Sequence, residues 1–330
     1  MSIDLSDDIS PDQIKRHVLS DGDVSVAILS LGCITQDWRV PLNGDRIPVV
    51  LGYKDPADYL SNPSFVGTIV GRVANRISGA SFPIGSDIFN VQVNEAPNHL
   101  HGGAQGLHSR NWTMQTDGTR AVQLHLVSPD GDQGYPGQVE FEVTISLSGY
   151  TLTYDIVARS DRETPVNLAQ HSYYNLMGKG TILDHRVQID ADYYTPVDSV
   201  GITTGEISRL AGLDFDLRSA KSVEQAGRDL DLSFVLSDTT ETNARVFSPN
   251  KMALTMITDQ PCLQFYTGSK QSPGPSPWGG QSHIPYSGLC LEPQQFINSV
   301  NVEAFPSTMT TPDQPYRQST KICIAHEDLL

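Results

Sequence analysis

The sequence predicts an all-β fold, built as one large antiparallel β-sandwich with few short helices. Apolar and polar residues alternate over residues 139–147 and again over residues 152–158, and Ser148-Gly149 separates the two runs. A period of two on both sides of a glycine predicts a β-hairpin with one buried face. Turn residues recur along the chain, as in Asp130-Gly131 and Tyr135-Pro136-Gly137. We therefore expect two or more layered sheets.

Further segments complete this prediction. Residues 24–33, 122–127 and 263–267 also have strand patterns, whereas residues 11–17 and 222–230 have the patterns of two short helices. The chain has 330 residues and no segment with the composition of an interdomain linker. Because β-sandwiches commonly exceed 200 residues, we expect a single domain over residues 1–330. Residues 269–282 form a long Gly/Pro/Ser-rich loop, and loops of that length are often functional.

The charge balance excludes several classes of partner. The net charge is −16, from 38 acidic and 22 basic residues. Such a surface repels nucleic acid and anionic membranes, so we expect neither as a partner. No apolar run approaches the roughly 20 residues that span a bilayer. Residues 1–15 lack a basic segment followed by an apolar one, which is the pattern of a secretory signal, so we expect a cytoplasmic protein.

The cysteine pattern also predicts a cytoplasmic protein. The four cysteines form no CxxC pair and no spacing typical of a zinc site. We expect buried free thiols, as is usual in cytosolic proteins. They are Cys33, Cys262, Cys290 and Cys323.

Two histidines in one short segment allow three interpretations. If the segment is extended, His99 and His101 lie on the same face, and His108 could complete a metal site. No acidic residue stands at ligand spacing beside them, which weighs against a metal. Gly102-Gly103 instead suggests a turn where the backbone approaches a ligand closely. In the third interpretation, His101 only satisfies hydrogen bonds in the core.

Two candidates for proton transfer lie far apart in the chain. His171 stands before the run Ser172-Tyr173-Tyr174-Asn175, whose aromatic bodies and polar tips suit a sugar site. Its unperturbed pKa near 6.5 suits proton transfer at neutral pH. Glu292 follows the apolar residues 289–291, so a strand is expected to deliver a carboxylate at its own end. Burial would raise the pKa of Glu292 and strengthen it as a base. The competing interpretations are a buried aromatic strand for the first segment and a carboxylate on the rim of an acidic protein for the second.

Other motifs, both present and missing, limit the reactions that we expect of this protein. Arg72 and Arg76 stand four positions apart among small and apolar residues, so one could hold a ligand and the other could form a structural ion pair. The sequence has no GxGxxG or Walker loop, so we expect no nucleotide cofactor. It also lacks a nucleophile elbow, which disfavours a hydrolase triad.

Taken in order, these segments resemble the aldose 1-epimerase (galactose mutarotase) family over about residues 24–316. The fold that this resemblance implies is a single β-supersandwich of the galactose mutarotase type. The matching segments include Gly71-Arg72-Val73-Ala74-Asn75-Arg76, Leu100-His101-Gly102-Gly103, Gly134-Tyr135-Pro136-Gly137, Thr164-Pro165-Val166-Asn167, His171-Ser172-Tyr173-Tyr174-Asn175, Thr195-Pro196-Val197-Asp198, Gln264-Phe265-Tyr266-Thr267 and Leu291-Glu292-Pro293-Gln294.

The resemblance also implies a reaction. The family interconverts the α and β anomers of a free aldose, and no cofactor or metal is expected. By similarity, Glu292 is the general base for the C1 hydroxyl and His171 is the general acid for the ring oxygen. His101 matches the family's second active-site histidine, which would steady developing charge. Asn75 and Arg76 match its asparagine–arginine pair for sugar hydroxyls, which leaves a structural role for Arg72.

Two further contacts follow from the same resemblance. Asp231 matches the carboxylate that holds sugar hydroxyls, and Gln264 is another candidate contact. The family usually has histidine and asparagine after this aspartate, whereas this chain has Leu232 and Ser233. Asp229 therefore remains a second candidate for the same role.

Three further functions remain open at this point. A hexose-6-phosphate 1-epimerase would need additional cations for the phosphate, and Arg72 and Arg110 are the nearby candidates. A glycoside hydrolase could use Asp231 and Glu292 as its carboxylate pair. A non-catalytic sugar-binding protein would keep the pocket, although binding alone needs neither an acid nor a base. The sequence leaves the preferred aldose and the oligomeric state open.

Overall fold

The computed structural model describes residues 9–238 and 242–330, which form 27 β-strands numbered here in chain order. The first thirteen strands are β1 (Arg16–Asp21), β2 (Val24–Leu29), β3 (Thr35–Leu42), β4 (Asp45–Pro48), β5 (Ile69–Val70), β6 (Arg76–Ile77), β7 (Ser81–Ile84), β8 (Asp87–Asn90), β9 (His99–Leu100), β10 (Thr113–Asp117), β11 (Ala121–Ser128), β12 (Val139–Ser148) and β13 (Thr151–Ser160). The others are β14 (Thr164–Pro165), β15 (Ala169–Gln170), β16 (Tyr173–Tyr174), β17 (Arg186–Ile189), β18 (Ala191–Thr195), β19 (Ser208–Arg209), β20 (Lys221–Ser222), β21 (Asp231–Leu236), β22 (Ala244–Phe247), β23 (Met252–Thr258), β24 (Cys262–Tyr266), β25 (Leu289–Gln294), β26 (Met309–Thr310) and β27 (Tyr316–His326).

Helical structure is limited to short 3₁₀-helices in the part of the chain that the structure describes. These helices are Pro11–Gln13, Pro56–Leu60, Ser78–Ala80, Leu107–Ser109, Asp132–Gly134, Ser299–Asn301 and Glu327–Leu329. Across residues 9–238 and 242–330, no helix has the length and apolar character needed to cross a membrane.

Two large sheets and one smaller sheet make up the sandwich. The nine-stranded sheet has the order β10-β11-β12-β13-β27-β23-β22-β17-β20, and the six-stranded sheet has the order β16-β25-β24-β21-β18-β19. Strands β1 to β4 form a four-stranded sheet in sequential order. The pairings β12–β13, β13–β27, β24–β25 and β21–β24 are antiparallel. This arrangement confirms the predicted large antiparallel β fold with few short helices.

One continuous apolar cluster joins the three sheets. It contains Val26 of the four-stranded sheet, Val143 and Leu254 of the nine-stranded sheet, and Phe265 of the six-stranded sheet. The predicted hairpin lies within this arrangement, because β12 and β13 pair from Ser148 opposite Thr151 onwards and their buried residues alternate along each strand. Alternation therefore predicted the buried face correctly, since side chains on a strand point to opposite faces in turn.

The helix predicted for residues 222–230 was wrong. The segment begins with strand β20 and continues as a series of turns. One helical hydrogen bond forms, from the N–H of Ala226 to the carbonyl of Ser222 at 3.0 Å. Gly227 then has a φ of 102° and Arg228 a φ of 35°, neither of which continues a right-handed helix. Val223 and Ala226 are both buried, and their separation of three positions resembles the apolar spacing of a helix.

Two other predictions need smaller corrections. The helix expected over residues 11–17 is confined to Pro11–Gln13, because strand β1 already begins at Arg16. All four cysteines are free, as predicted, and three are buried, but Cys323 is only half-buried.

A matched pair of valine substitutions tests the buried face of the nine-stranded sheet. Val143 on β12 is fully buried in the core cluster, whereas Val127 on β11 is 42% exposed. We expect Val143→Ala to lower the free energy of unfolding by roughly 2 to 3 kcal/mol, through lost apolar burial and a residual cavity. Val127→Ala should change it by less than about 0.5 kcal/mol. Urea denaturation measures both, and equal losses would contradict the assigned face.

Candidate active site

Three polar side chains form a row across the six-stranded sheet. Gln264 on β24 lies directly opposite Glu292 on β25. Because opposite residues of an antiparallel pair point to the same face, both side chains lie on one face of the sheet. Asp231 begins the next strand, β21, and its carboxylate accepts a hydrogen bond of 2.6 Å from Nε2 of Gln264. Regular strand pairing thus brings together residues that are distant in sequence.

Glu292 lies inside a strand and not at its end, which corrects the sequence prediction. Strand β25 continues through Pro293 to Gln294, and both of these residues pair with β24. Every residue of β25 is buried, and Glu292 itself is 2% exposed. Among residues 9–238 and 242–330, its Oε2 atom has no hydrogen-bond partner. A buried carboxyl oxygen without a partner is costly, and it marks this position as one that a ligand can satisfy.

His171 is fixed in place by backbone hydrogen bonds just before strand β16. Its N–H donates to the carbonyl of Thr68 at 2.7 Å, and its own carbonyl accepts from the N–H of Gly67 at 2.9 Å. The imidazole Nε2 lies 3.6 Å from Oε1 of Glu292. On the other side of the ring, Nδ1 lies 3.6 Å from Sγ of Cys290. The acid and base candidates are therefore neighbours, although 121 residues of sequence separate position 171 from position 292.

The electrostatics of this pair favour neutral groups. Burial lowers the pKa of His171 to about 4. Burial also raises the pKa of Glu292 well above its usual range, and the negative charge of Asp231 adds to this effect. Each group alone resists ionisation because its charged form loses hydration. Two such groups within 3.6 Å titrate as a coupled pair, and one shared proton keeps that pair neutral.

His101 occupies a tight turn beside Asn75. The N–H of His101 donates to the carbonyl of Asn75 at 3.0 Å, and Nδ1 of His101 accepts from the N–H of Asn75 at 3.1 Å. Because Nδ1 is an acceptor, the neutral imidazole carries its proton on Nε2. Burial holds the pKa of His101 well below its usual value, so the ring is neutral. The turn therefore presents a neutral N–H donor.

A metal site made of the three histidines is not formed. His101 has a φ of 51°, so the segment is not extended at this residue and the condition for a shared face is not met. Nδ1 of His99 contacts the carbonyl of Gln92 at 2.5 Å, and its Nε2 contacts the hydroxyl of Tyr135 at 2.7 Å. Both nitrogens of His99 are thus used within the protein. Its ring packs in the core and does not converge with His101 and His108.

Gly102 makes the His101 turn possible. Its φ is +85°, and a Cβ atom at this position would overlap the carbonyl oxygen of Gly71. Glycine is therefore required both by conformation and by the close approach of two backbone segments. The turn that the Gly102-Gly103 pair indicates in the sequence is present, but the close approach at Gly102 is to the backbone of Gly71, where the sequence suggested a ligand.

The two arginines have different environments. Arg76 forms a two-point ion pair with Glu95, with Nε 2.6 Å from Oε2 and Nη2 2.8 Å from Oε1. Arg72 is buried, and its guanidinium donates to the carbonyls of Ser128 and Pro129 at 2.9 and 2.8 Å. Arg72 therefore has a structural role, whereas Arg76 is oriented by Glu95 at the edge of a cavity.

All seven predicted site residues line one cavity of 210 Å³. Asp229 is not among the lining residues; its carboxylate instead accepts a hydrogen bond from the hydroxyl of Tyr286. The geometry thus favours Asp231 over Asp229. A larger and more open groove of 740 Å³ contains neither a histidine nor a glutamate in its lining. The seven residues are Asn75, Arg76, His101, His171, Asp231, Gln264 and Glu292.

Sequence reasoning missed several residues of this cavity. Phe65 packs against His101 and His108, with ring centroids 4.7 and 4.8 Å apart, and no local sequence signal marks it. Lys270 and Gln271 come from the long Gly/Pro/Ser-rich loop. Tyr173 also lines the cavity, and it belongs to the polar-aromatic run that follows His171 in the sequence.

Glu95 and Cys290 could have been found from the sequence. Glu95 precedes the Asn98-His99 segment closely, and it holds Arg76. Cys290 stands two positions before Glu292, and residues i and i+2 of a strand share a face. That periodicity places its thiol beside the carboxyl group.

Several known proteins are similar to this chain over most of its length. A family model described as aldose 1-epimerase matches residues 15–323. Mouse galactose mutarotase is 38% identical over 318 residues, covering 93% of each chain. Aldose 1-epimerase from Escherichia coli K12 is 32% identical over 299 residues, covering 85% of this chain and 86% of its own. An aldose epimerase homologue from C. elegans superimposes with a TM-score of 0.91 at 25% identity, covering 95% of this chain and 99% of its own.

These matches define the protein, in the first place, as an enzyme of the isomerase class. More specifically, the chain belongs to the aldose 1-epimerase family, because the family model and relatives above 30% identity extend over most of its length.

A matched pair of glycine substitutions tests the His101 turn. Gly102→Ala places a Cβ against the carbonyl of Gly71, so the turn must shift. Gly118 also has a positive φ, +60°, but nothing lies within 4 Å of its added Cβ. We expect Gly118→Ala to cost about 1 to 2 kcal/mol from backbone strain alone. Gly102→Ala should cost clearly more and should also weaken sugar binding. Thermal unfolding and calorimetric sugar titration measure both effects, and equal results for the two variants would contradict the proposed role of the turn.

Proposed function

We propose that this enzyme interconverts the α and β anomers of a free aldose, with Glu292 as general base and His171 as general acid. The observation that carries this proposal is the distance of 3.6 Å between Nε2 of His171 and Oε1 of Glu292 inside one small, polar cavity. Family membership supplies the reaction, since its curated relatives are named galactose mutarotase and aldose 1-epimerase. The substrate class is therefore a small free sugar.

The reaction opens and closes the pyranose ring. Glu292 takes the proton of the C1 hydroxyl while His171 gives a proton to the ring oxygen, and the bond between C1 and the ring oxygen breaks. The open-chain aldehyde then rotates about C1–C2 and presents its other face. Ring closure uses the same two groups in reversed roles. Each acid or base contribution is typically worth about 10²–10⁴-fold in rate.

Burial of the pair suits this proton transfer. Before ring opening, the productive state is an ionised Glu292 beside a protonated His171, whose opposite charges stabilise each other. After ring opening, Glu292 is protonated and His171 is neutral. Both pKa shifts, raised for Glu292 and lowered for His171, favour those neutral forms. The same pKa shifts therefore favour proton transfer from the sugar to Glu292 and from His171 to the ring oxygen, which opens the ring.

The remaining cavity residues suit recognition of hydroxyl groups. We propose that His101 donates from Nε2 to the ring oxygen or a hydroxyl, where it steadies developing charge. Oε1 of Gln264 is buried and has no hydrogen-bond partner in the described part of the chain, so it can accept from a sugar hydroxyl. Asp231, which already accepts from Gln264, can accept a second bond. Asn75 and Arg76 complete the proposed set of sugar contacts.

Charges around the cavity favour a free sugar over a phosphorylated one. Arg72 and Arg110, the candidate cations for a phosphate, do not line the cavity. Arg76 and Lys270 do line it, but both contacts of Arg76 with Glu95 already use its guanidinium, which leaves the ammonium of Lys270 as the cation available to a phosphate. A phosphate would also face the carboxylate of Asp231 and the other acidic groups of the lining. Equilibration rates of glucose and glucose 6-phosphate, followed separately, distinguish the two substrates.

A hydrolytic function and a purely binding function fit the cavity less well. A glycoside hydrolase would use Asp231 and Glu292 and leave His171 without a task, although His171 is the neighbour of Glu292. A sugar-binding protein without activity needs no such pair. We propose a single cytoplasmic domain over residues 1–330 that acts on sugars. The net charge of −16 supports a partner other than nucleic acid or membranes.

The base assignment predicts the behaviour of Glu292→Gln. The amide keeps the size of the side chain but cannot accept the C1 proton, so the rate of anomerisation should fall at least about 100-fold. Sugar affinity should change little, because the other contacts remain. Polarimetry of freshly dissolved α-D-glucose and α-D-galactose measures the rate, and calorimetry measures binding. Glu140→Gln, an exposed position on β12, is the matched control. Full activity of Glu292→Gln would refute the assignment.

The proton shared by Glu292 and His171 predicts the pH dependence. The productive pair holds one proton, so kcat/KM should rise with pH as the doubly protonated pair loses a proton, and should fall at higher pH as the shared proton is lost. Because the charge of Asp231 raises the pKa of Glu292, Asp231→Asn should move the rise to lower pH. Asp229→Asn, outside the cavity lining, should leave it unmoved. Polarimetry after subtraction of the enzyme-free rate gives the profiles. A shift with Asp229→Asn alone would reverse the choice between the two aspartates.

A further inference from the structure

Gln271 carries an amide group that other protein groups do not satisfy. Its side chain lines the cavity of the proposed sugar site, and the residue is 3% exposed. Within residues 9–238 and 242–330, neither Nε2 nor Oε1 of Gln271 has a hydrogen-bond partner. Burial of polar atoms without partners is costly and therefore rare in folded proteins. Gln271 thus marks a place in the cavity where a ligand with hydrogen-bonding groups can bind.

The backbone of Gln271 is fixed, although the loop that follows it is irregular. Its N–H donates to the carbonyl of Gly268 at 3.0 Å, which closes a turn over residues 268–271. The same carbonyl accepts from the N–H of Tyr286, also at 3.0 Å. Gly268 has a φ of +65°, and a Cβ atom there would overlap the carbonyl oxygen of Gly288. The turn is therefore held against the residues just before β25, and the amide of Gln271 is placed before any sugar binds.

The proposed reaction leaves other hydroxyl groups of the sugar for Gln271. In that reaction Glu292 takes the proton of the C1 hydroxyl and His171 serves the ring oxygen. Gln264 offers only its Oε1 atom, because its Nε2 already donates to Asp231. Gln271 offers both an acceptor oxygen and a donor nitrogen from one planar amide. Two hydroxyl groups on adjacent carbons match this pattern, since each hydroxyl can either donate or accept.

We propose that Gln271 determines sugar specificity by binding two adjacent hydroxyl groups of the aldose, one through Oε1 and the other through Nε2. This proposal rests on the proposed function, which assigns the C1 hydroxyl to Glu292. The adjacent pairs of ring hydroxyls that remain in a hexopyranose are C2 with C3 and C3 with C4, so the C3 hydroxyl belongs to both. A sugar without that hydroxyl leaves one buried amide atom unpaired, and sites built in this way reject such analogues.

Deoxy sugars combined with a substitution test the contact as a double-mutant cycle. Gln271→Met keeps an unbranched side chain of similar size and removes both hydrogen-bonding atoms. Polarimetry gives kcat/KM for glucose and 3-deoxyglucose, each corrected for its enzyme-free rate. In the wild-type enzyme, 3-deoxyglucose should be at least about fivefold poorer than glucose, since an unpaired buried group costs about 5- to 150-fold. In Gln271→Met this ratio should shrink at least about threefold.

Further sugars and a neighbouring residue supply the controls. Of 2-deoxyglucose and 4-deoxyglucose, one should show the same coupling to Gln271→Met, which identifies the bound pair. The sugar 6-deoxyglucose should show no coupling. Ser272→Ala changes the next residue, which lines a separate groove and not the sugar cavity, so all of its ratios should match those of the wild type.

Stability measurements separate this role from a structural one. Because the amide of Gln271 has no partner in the described part of the chain, Gln271→Met should leave Tm without sugar unchanged or raise it. A structural amide would lower Tm when removed. Gln271→Asn withdraws the same amide by one methylene and should show the same reduced ratio, so it replaces the methionine variant if that variant does not fold.

The two proposals fail separately. An equal penalty for 3-deoxyglucose in the wild type and in the Gln271 variants, in an enzyme that anomerises glucose, would overturn the contact alone. If the wild-type protein does not anomerise glucose or galactose, the same cycle is measured by calorimetric binding. Coupling in that experiment would support the contact and overturn the proposed function, and its absence would overturn both.

Discussion

The site depends on the burial of one carboxyl group inside a β-sheet. Glu292 lies in a strand whose residues are all buried and whose pairing with β24 fixes its direction. Because an isolated buried charge is strongly disfavoured, the neighbouring groups must accommodate it. Three polar residues lie near Glu292. Gln264 is directly opposite it, Asp231 is on the next strand, and His171 is 3.6 Å away. The polar row is thus a product of strand register, and a slip by one residue would turn it to the opposite face.

The fold was predictable where the pattern is local. Strands β12 and β13 alternate over ten residues each, so period two determined their buried faces without knowledge of their partners. The helix predicted over residues 222–230 was wrong because tertiary packing buries Val223 and Ala226. Gly227, which has a positive φ, ends the single helical turn. The order of strands in the nine-stranded sheet depends on contacts such as β13 with β27, which join distant segments and leave no periodic signal.

The candidate residues were predictable from their unusual local composition and from the family resemblance, but their arrangement was not. Glu292 was expected at a strand end, whereas β25 continues past it because Pro293 still pairs with β24. The shared face considered for His99 and His101 requires an extended segment, and the positive φ of His101 does not meet that condition. Glu95 stands near the Asn98-His99 segment in the sequence, but its ion pair with Arg76 depends on the pairing of β6 with β9, which the sequence does not reveal.

Two kinds of segment build the walls of the cavity, and they differ in how freely their sequences can change during evolution. Gly102 meets the backbone of Gly71 so closely that no side chain fits, and the turn beside it holds His101. Lys270 and Gln271 belong instead to an irregular loop, and neither residue lies in a strand. Substitutions in that loop can alter which hydroxyl groups are contacted without displacing the proton-transfer pair. Descendants of this chain could therefore acquire new sugar preferences while the chemistry, held by backbone geometry, stays the same.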